Sequence, residues 1–174
     1  DGTKDIPVDR KGHREILIQS LNSILTHKIN PAFMIDALEG KLFGIGSESY
    51  VVGSHDFYLG YTVKNSMVLT MDMGHFHPTE SVADKVSAIL PFVPGLLLHV
   101  SRGVRWDSDH VVIQNDDLNA LTQEIVRSGA FNKIFLALDY FDASINRIGA
   151  WVTGTRATLK SLLCALLRSE ERRV

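Results

Sequence analysis

Apolar residues recur along this chain in two alternating rhythms, one suited to helices and one to strands. Over residues 14–29 they fall at Leu17, Leu21, Ile24 and Leu25, the spacing of one helix face. Residues 33–38 read as a short strand interrupted by Asp36, whereas the glycine-containing stretch 44–60 shows no clear period and stays unassigned. Residues 67–71 form a compact apolar run suited to a strand buried on both faces. Pro78 and Thr79 open a helical stretch with Val82, Val86 and Ile89 on one side, and Pro91, Pro94 and Gly95 end it. Residues 96–98 make the next strand. Asp116 and Asp117 can cap a helix carrying Leu118, Leu121 and Ile125. Residues 134–138 are a further strand. A long amphipathic helix follows through Ile145, Ile148, Trp151, Val152, Leu159, Leu162 and Leu166. Gly149 and Gly154 each weaken that helix by up to about 1 kcal/mol relative to alanine, which the apolar run at its end outweighs.

Alternating strands and helices predict a parallel sheet with helical crossovers. The strand ends at Glu39, Asp72, His99 and Asp139 are spaced 27 to 40 residues apart. A (β/α)8 barrel uses roughly 250 residues for eight units, about 31 each. The expected fold is therefore α/β of the (β/α)8 TIM-barrel type, with four strands making half a barrel. An isolated half leaves two open sheet edges and an uncovered inner face, so either the native protein is longer or two halves associate. The chain opens on Asp1 rather than Met, which fits a single partial barrel domain over residues 1–174 cut from a longer protein.

Composition narrows the partners. With 45% hydrophobic and 22% charged residues the chain resembles an ordinary globular domain. A net charge of −2 gives no reason to expect nucleic acid or an anionic membrane surface. No apolar run approaches the roughly 20 residues needed to span a bilayer, and the first residues resemble neither a signal nor a transit peptide. Cys164, the one cysteine, lies in an apolar run and reads as a buried thiol, which points to a reducing, cytoplasmic compartment.

Candidate chemistry lies where polar residues interrupt the strands. Asp72 follows Met71, His99 follows Leu98, Asp139 follows Leu138 and Glu39 follows Leu38. In barrels the carboxyl ends of the strands carry the active site, so these four side chains are expected to converge. One polar residue leaving a strand means little; four in register, all oxygen or imidazole donors, point to a metal. Asp72-Met73-Gly74-His75 sets a carboxylate and an imidazole on either side of a glycine turn, so that Asp72 can bridge two ions while His75 binds the second. Asp107 and Asp109, two apart, point the same way in an extended chain. Glu39 and Lys41 follow the same spacing, placing an ammonium group beside a ligand. The set contains no thiolate, which suits Mn²⁺, Co²⁺, Mg²⁺ or Zn²⁺. Arg102, Arg105 and Trp106 read as charge balance and packing beside Asp107; His13, His27 and His55 read as surface histidines. Gly44-Ile45-Gly46 lacks the third glycine of a dinucleotide loop.

The stretches 41–50 (KLFGIGSESY), 74–80 (GHFHPTE), 97–102 (LLHVSR), 104–112 (VRWDSDHVV) and 138–147 (LDYFDASINR) resemble the L-rhamnose isomerase family over nearly the whole chain. Gly103 and Phe33-Met34 depart from the pattern without touching a candidate ligand. The resemblance implies that this chain supplies about the last four βα units, with the first barrel half before Asp1 and a helical tail after Val174. It implies one ion on Glu39, Asp72, His99 and Asp139, and a catalytic ion on Asp72, His75, Asp107 and Asp109. Lys41 would sit near the carbonyl end of the sugar. The implied cofactor is Mn²⁺, with Zn²⁺ or Co²⁺ as a second ion. The implied reaction converts L-rhamnose to L-rhamnulose by a metal-assisted hydride shift between C1 and C2, a metal-bound water or hydroxide moving the hydroxyl proton. The implied assembly is a homo-oligomer, tetrameric at full length. Ionised ligands are required, so activity is expected to be lost in mild acid. Two other readings compete: a barrel metallohydrolase using the same cluster to activate water, and a metal-binding fragment without activity of its own.

Overall fold

A computed structural model of the chain describes residues 8–40, 52–77, 79–103, 110–140 and 145–171. Four strands, β1 (Ala37–Glu39), β2 (Val68–Asp72), β3 (Leu96–Val100) and β4 (Ile134–Leu138), form one sheet. They stand side by side in the order of the chain, and every neighbouring pair is parallel. Helices α1 (Arg10–Ile24), α2 (His55–Asn65), α3 (Val82–Ile89), α4 (Asp116–Ser128) and α5 (Arg147–Glu171) precede, connect and follow the strands. The α/β character and parallel sheet expected from the periodicity are present.

The apolar core covers one face of the sheet. Leu69 and Met71 of β2 and Leu96, Leu98 and Val100 of β3 are almost wholly buried, packed with Val82, Val86 and Ile89 of α3 and Leu118, Leu121 and Ile125 of α4. Every residue of β2 is buried, as its apolar run predicts. The alternate positions, Glu39, Thr70, Asp72, Leu97 and His99, project from the other face.

Several elements differ from the sequence reading, each for a local reason. The first strand shrinks to Ala37–Glu39 because Asn30 folds the preceding segment into a turn, its side chain accepting from Ala32 N at 2.9 Å and its carbonyl from Phe33 N at 2.8 Å. Phe33, Met34 and Ile35 are left exposed. Helix α1 begins earlier, at Arg10, where the Asp9 carboxylate accepts from Gly12 N, and it ends at Ile24 with Leu21 its buried residue. Helix α2 begins inside the stretch that showed no period and runs five residues beyond it; its signal was Ser54, whose hydroxyl caps the helix by accepting from Phe57 N. Helix α3 starts at Val82, after a turn in which Glu80 N donates to His77 O.

Helix α4 is capped one residue earlier than expected. The Asn115 side chain accepts from Leu118 N at 3.0 Å, while Asp116 and Asp117 occupy the first turn, where negative charge suits the helix dipole. Asn115→Ala is predicted to destabilise the protein by about 1 kcal/mol; thermal unfolding of the full-length protein checks it, and an unchanged midpoint would remove the cap from the account.

Helix α5 turns its large side chains the opposite way from the amphipathic reading. Its buried positions are Ala150, Gly154, Thr158, Ser161 and Ala165, laid against α4. Ile148, Trp151, Val152, Leu159, Leu163 and Leu167 are exposed, and Ile145 lies before the helix begins. Cys164 is half-buried rather than enclosed. Among the described residues no helix is long and apolar enough to cross a membrane.

Candidate metal centre

Parallel pairing carries four polar side chains to one place. Glu39 ends β1, Asp72 ends β2, His99 is the penultimate residue of β3, and Asp139 follows β4. Register aligns Glu39 with Thr70, Asp72 with His99, and His99 with Ala137, two residues before Asp139. Residues paired across a parallel ladder project from the same face, and positions two apart along a strand do likewise. The four therefore share a face, and one ligand atom from each lies within 4.8 Å of the others.

His99 is the hub. Its Nδ1 lies 2.9 Å from Asp139 Oδ2, 3.1 Å from Glu39 Oε1 and 3.6 Å from Asp72 Oδ2. Asp72, fully buried and 3.6 Å away, contributes most to raising the His99 pKa to about 10; Glu39 and Asp139 add to it against the effect of burial. Burial pushes the Asp72 carboxyl up, but His99, Ser101, His75 and the Gly74 amide outweigh it and hold it below its usual value.

The two oxygens of Asp72 have different surroundings. Oδ1 accepts from the Gly74 amide and from the Ser101 hydroxyl, each at 2.6 Å. Oδ2 is buried and accepts no hydrogen bond among the described residues. A buried carboxylate oxygen without a donor is costly, and three carboxylates gathered so closely repel one another. A cation among them relieves both. The donor set, carboxylate oxygens with imidazole and no thiolate, suits a hard or borderline divalent ion. The residues present fit such a group.

The turn after β2 places His75 at the edge of the cluster. With Asp72 Oδ1 holding the Gly74 amide and Asp72 O accepting from His75 N at 3.2 Å, the chain reverses immediately. His75 Nδ1 comes to 3.4 Å from Glu39 Oε1. Lys41, Asp107 and Asp109 lie outside the described residues, as do Arg105 and Trp106. Arg102 and His110 pair backbone to backbone in an antiparallel bridge, and Arg102 Nε donates to Val111 O. His77 Nδ1 lies 2.7 Å from Thr79 Oγ1. His55, read as a surface residue, is instead half-buried with its ring edge-on to Phe76 at 4.9 Å, and burial, aided by Lys85, lowers its pKa.

Two glycines are explained by close approach. A Cβ on Gly40, the residue after Glu39, would come within 2.7 Å of His55 Cα, so the start of α2 abuts the end of β1 there. A Cβ on Gly154 would lie 1.9 Å from the Tyr140 hydroxyl, which donates to Ala150 O at 2.9 Å. Tyr140, next to Asp139, thus lies across α5. An exposed helical glycine gains up to about 1 kcal/mol when replaced by alanine. Gly154→Ala is predicted to lose about 1–3 kcal/mol instead, through overpacking. Thermal unfolding with and without Tyr140→Ala tests this: the loss should disappear once the ring is gone.

Sequence reasoning missed Ser101, Tyr140 and the Gly154 contact. Ser101 had a legible signal, standing two residues after His99 and so on the same side of the sheet.

The fold and the cluster together define a parallel α/β protein with a candidate divalent-metal centre at the carboxyl ends of its strands. A family model described as L-rhamnose isomerase (RhaA) matches residues 1–173, and the chain belongs to that family. It is 57% identical over 171 residues to an L-rhamnose isomerase of Rhodopirellula baltica, covering 98% of this chain and 40% of the relative. It is 54% identical over 172 residues to the L-rhamnose isomerases of Yersinia pestis and Yersinia pseudotuberculosis, covering 99% of this chain and 41% of each relative. The chain thus spans about two fifths of the length of the curated relatives it matches.

Proposed function

We propose that the protein to which this chain belongs is an aldose–ketose isomerase converting L-rhamnose to L-rhamnulose at a divalent-metal centre. The observation that carries this reading is the four-residue cluster, with its buried, undonated Asp72 oxygen, in a chain of the L-rhamnose isomerase family. Glu39, Asp72, His99 and Asp139 are assigned to one ion. His75, beside Glu39, is assigned with Asp72, Asp107 and Asp109 to a second, and Lys41 to the carbonyl end of the sugar. Mn²⁺ is the proposed ion, with Zn²⁺ or Co²⁺ as alternative occupants of the second position.

A divalent cation held there supplies Lewis acidity toward a sugar carbonyl and its neighbouring hydroxyl. The chain supplies the rest. Asp72, anchored through one oxygen, presents the other, and the rigid strand ends fix the spacing of the donors. The isomerisation balances within the sugar: the hydrogen on C2 moves with its electron pair to C1, and the O2 proton passes to O1. No redox cofactor is consumed.

The sequential strand order supports the proposal that the sheet is half of a (β/α)8 barrel. The placement of the cluster opposite the α3–α4 face supports it too, as the inner face of a barrel carries the site. The rest of the polypeptide would then cover the exposed side chains of β4 and α5. A cytoplasmic homo-oligomer is the proposed form.

The test is turnover of L-rhamnose by the full-length protein with Mn²⁺, before and after chelation, run in D₂O. Expected are metal-dependent L-rhamnulose formation and no solvent deuterium at C1. Hydrolysis of a chromogenic phosphate ester without sugar turnover would replace the isomerase by a metallohydrolase. Deuterium at C1 would overturn the hydride shift alone.

A further inference from the structure

We infer that Ser101 is a positioning residue for the metal centre, fixing which oxygen of Asp72 faces the cation; this rests on the assignment of Asp72 as a ligand. Ser101 follows β3 directly and is 1% exposed, so its hydroxyl is enclosed in protein. The hydroxyl donates to Asp72 Oδ1 at 2.6 Å, the short separation typical of a hydroxyl on an ionised carboxylate. The Gly74 amide donates to the same oxygen, also at 2.6 Å.

The two donors come from different directions. Gly74 lies in the turn that Asp72 itself begins, and an amide two residues along the same chain moves with that turn. Ser101 belongs to the neighbouring strand and is held by the ladder that pairs Asp72 with His99. One donor leaves the carboxylate free to rock about its Cβ–Cγ bond. A second donor on another strand removes that freedom and commits Oδ1. What remains is Oδ2, undonated, buried and 3.6 Å from His99 Nδ1 on the cluster side. Groups that bind and orient a metal-ligating carboxylate typically change metal affinity by about 10–100-fold when removed.

A purely structural serine would satisfy its own hydroxyl and add stability without regard to the ion. The positioning role predicts something different. In the full-length protein Ser101→Ala should weaken Mn²⁺ binding about 10–100-fold, read as free Mn²⁺ by electron paramagnetic resonance. The visible spectrum of the Co²⁺-loaded protein should change as well, because the carboxylate can then swing both oxygens toward the ion. Ser101→Thr, which keeps the hydroxyl, should restore the spectrum and most of the affinity. Asp72→Ala is the control.

The outcomes separate the two claims. If Asp72→Ala binds Mn²⁺ as tightly as the unsubstituted protein, the ligand assignment itself fails. If Asp72→Ala loses the ion but Ser101→Ala keeps its affinity within twofold and its Co²⁺ spectrum, Ser101 has no positioning role. A lower unfolding temperature in Ser101→Ala with unchanged Mn²⁺ affinity likewise overturns it.

Discussion

Asp72→Asn in the full-length protein is expected to lower L-rhamnose turnover by about 10³-fold or more, the equivalent of several kcal/mol of lost electrostatic assistance. The substitution keeps the volume and one acceptor, so Ser101 and Gly74 still find an oxygen. It removes the negative charge from the fully buried carboxylate of the cluster and, with the amide so oriented, turns an NH₂ group toward the position of Oδ2. A donor there faces His99 and the other carboxylates where a cation is proposed. Metal content by atomic emission and turnover with saturating Mn²⁺ should fall together. Retention of full activity with one ion fewer would show that the cluster is not the site of chemistry.

The second large effect is a steep pH dependence of metal binding. In the metal-free protein the His99 pKa is raised from 6.5 to about 10, chiefly through Asp72, so the imidazolium occupies the position between the carboxylates. Its contribution to stability is complete below about pH 6.5 and is lost as pH rises toward 10. Asp72 behaves oppositely: with its pKa lowered from 3.8, it contributes above that value and fails as pH falls through the lower folded one. A metal ion must displace the proton from Nδ1. Mn²⁺ affinity is therefore predicted to rise about tenfold per pH unit between about pH 6 and 8, with about one proton released per ion. Calorimetry in buffers of different ionisation enthalpy counts that proton. An affinity that does not change over this range would mean that His99 is not a ligand.

Much of the frame was legible because it depends on local periodicity. Residues 134–138 match β4, β2 is buried throughout, and Val82, Val86 and Ile89 line the inner side of α3 as their spacing indicates. Glu39, Asp72, His99 and Asp139 were legible for a topological reason: parallel strands put their carboxyl ends on one side, so a polar residue after each apolar run must meet its counterparts. The misses have a different origin. Helix α2 has little amphipathic contrast, its exposed Val63 and buried Thr62 defeating any simple stripe. The orientation of α5 depends on its neighbours: Tyr140 and α4 occupy the space beside Ala150, Gly154 and Thr158, so bulk is excluded from that seam. The Ser101–Asp72 contact joins residues 29 apart in the chain and exists only once β2 and β3 are paired.

The unusual seam of α5 has a consequence for handling the polypeptide. With small side chains turned inward and Trp151, Leu159 and Leu163 facing out, α5 carries an oily flank. Wherever nothing covers it, that flank favours self-adhesion and loss from solution.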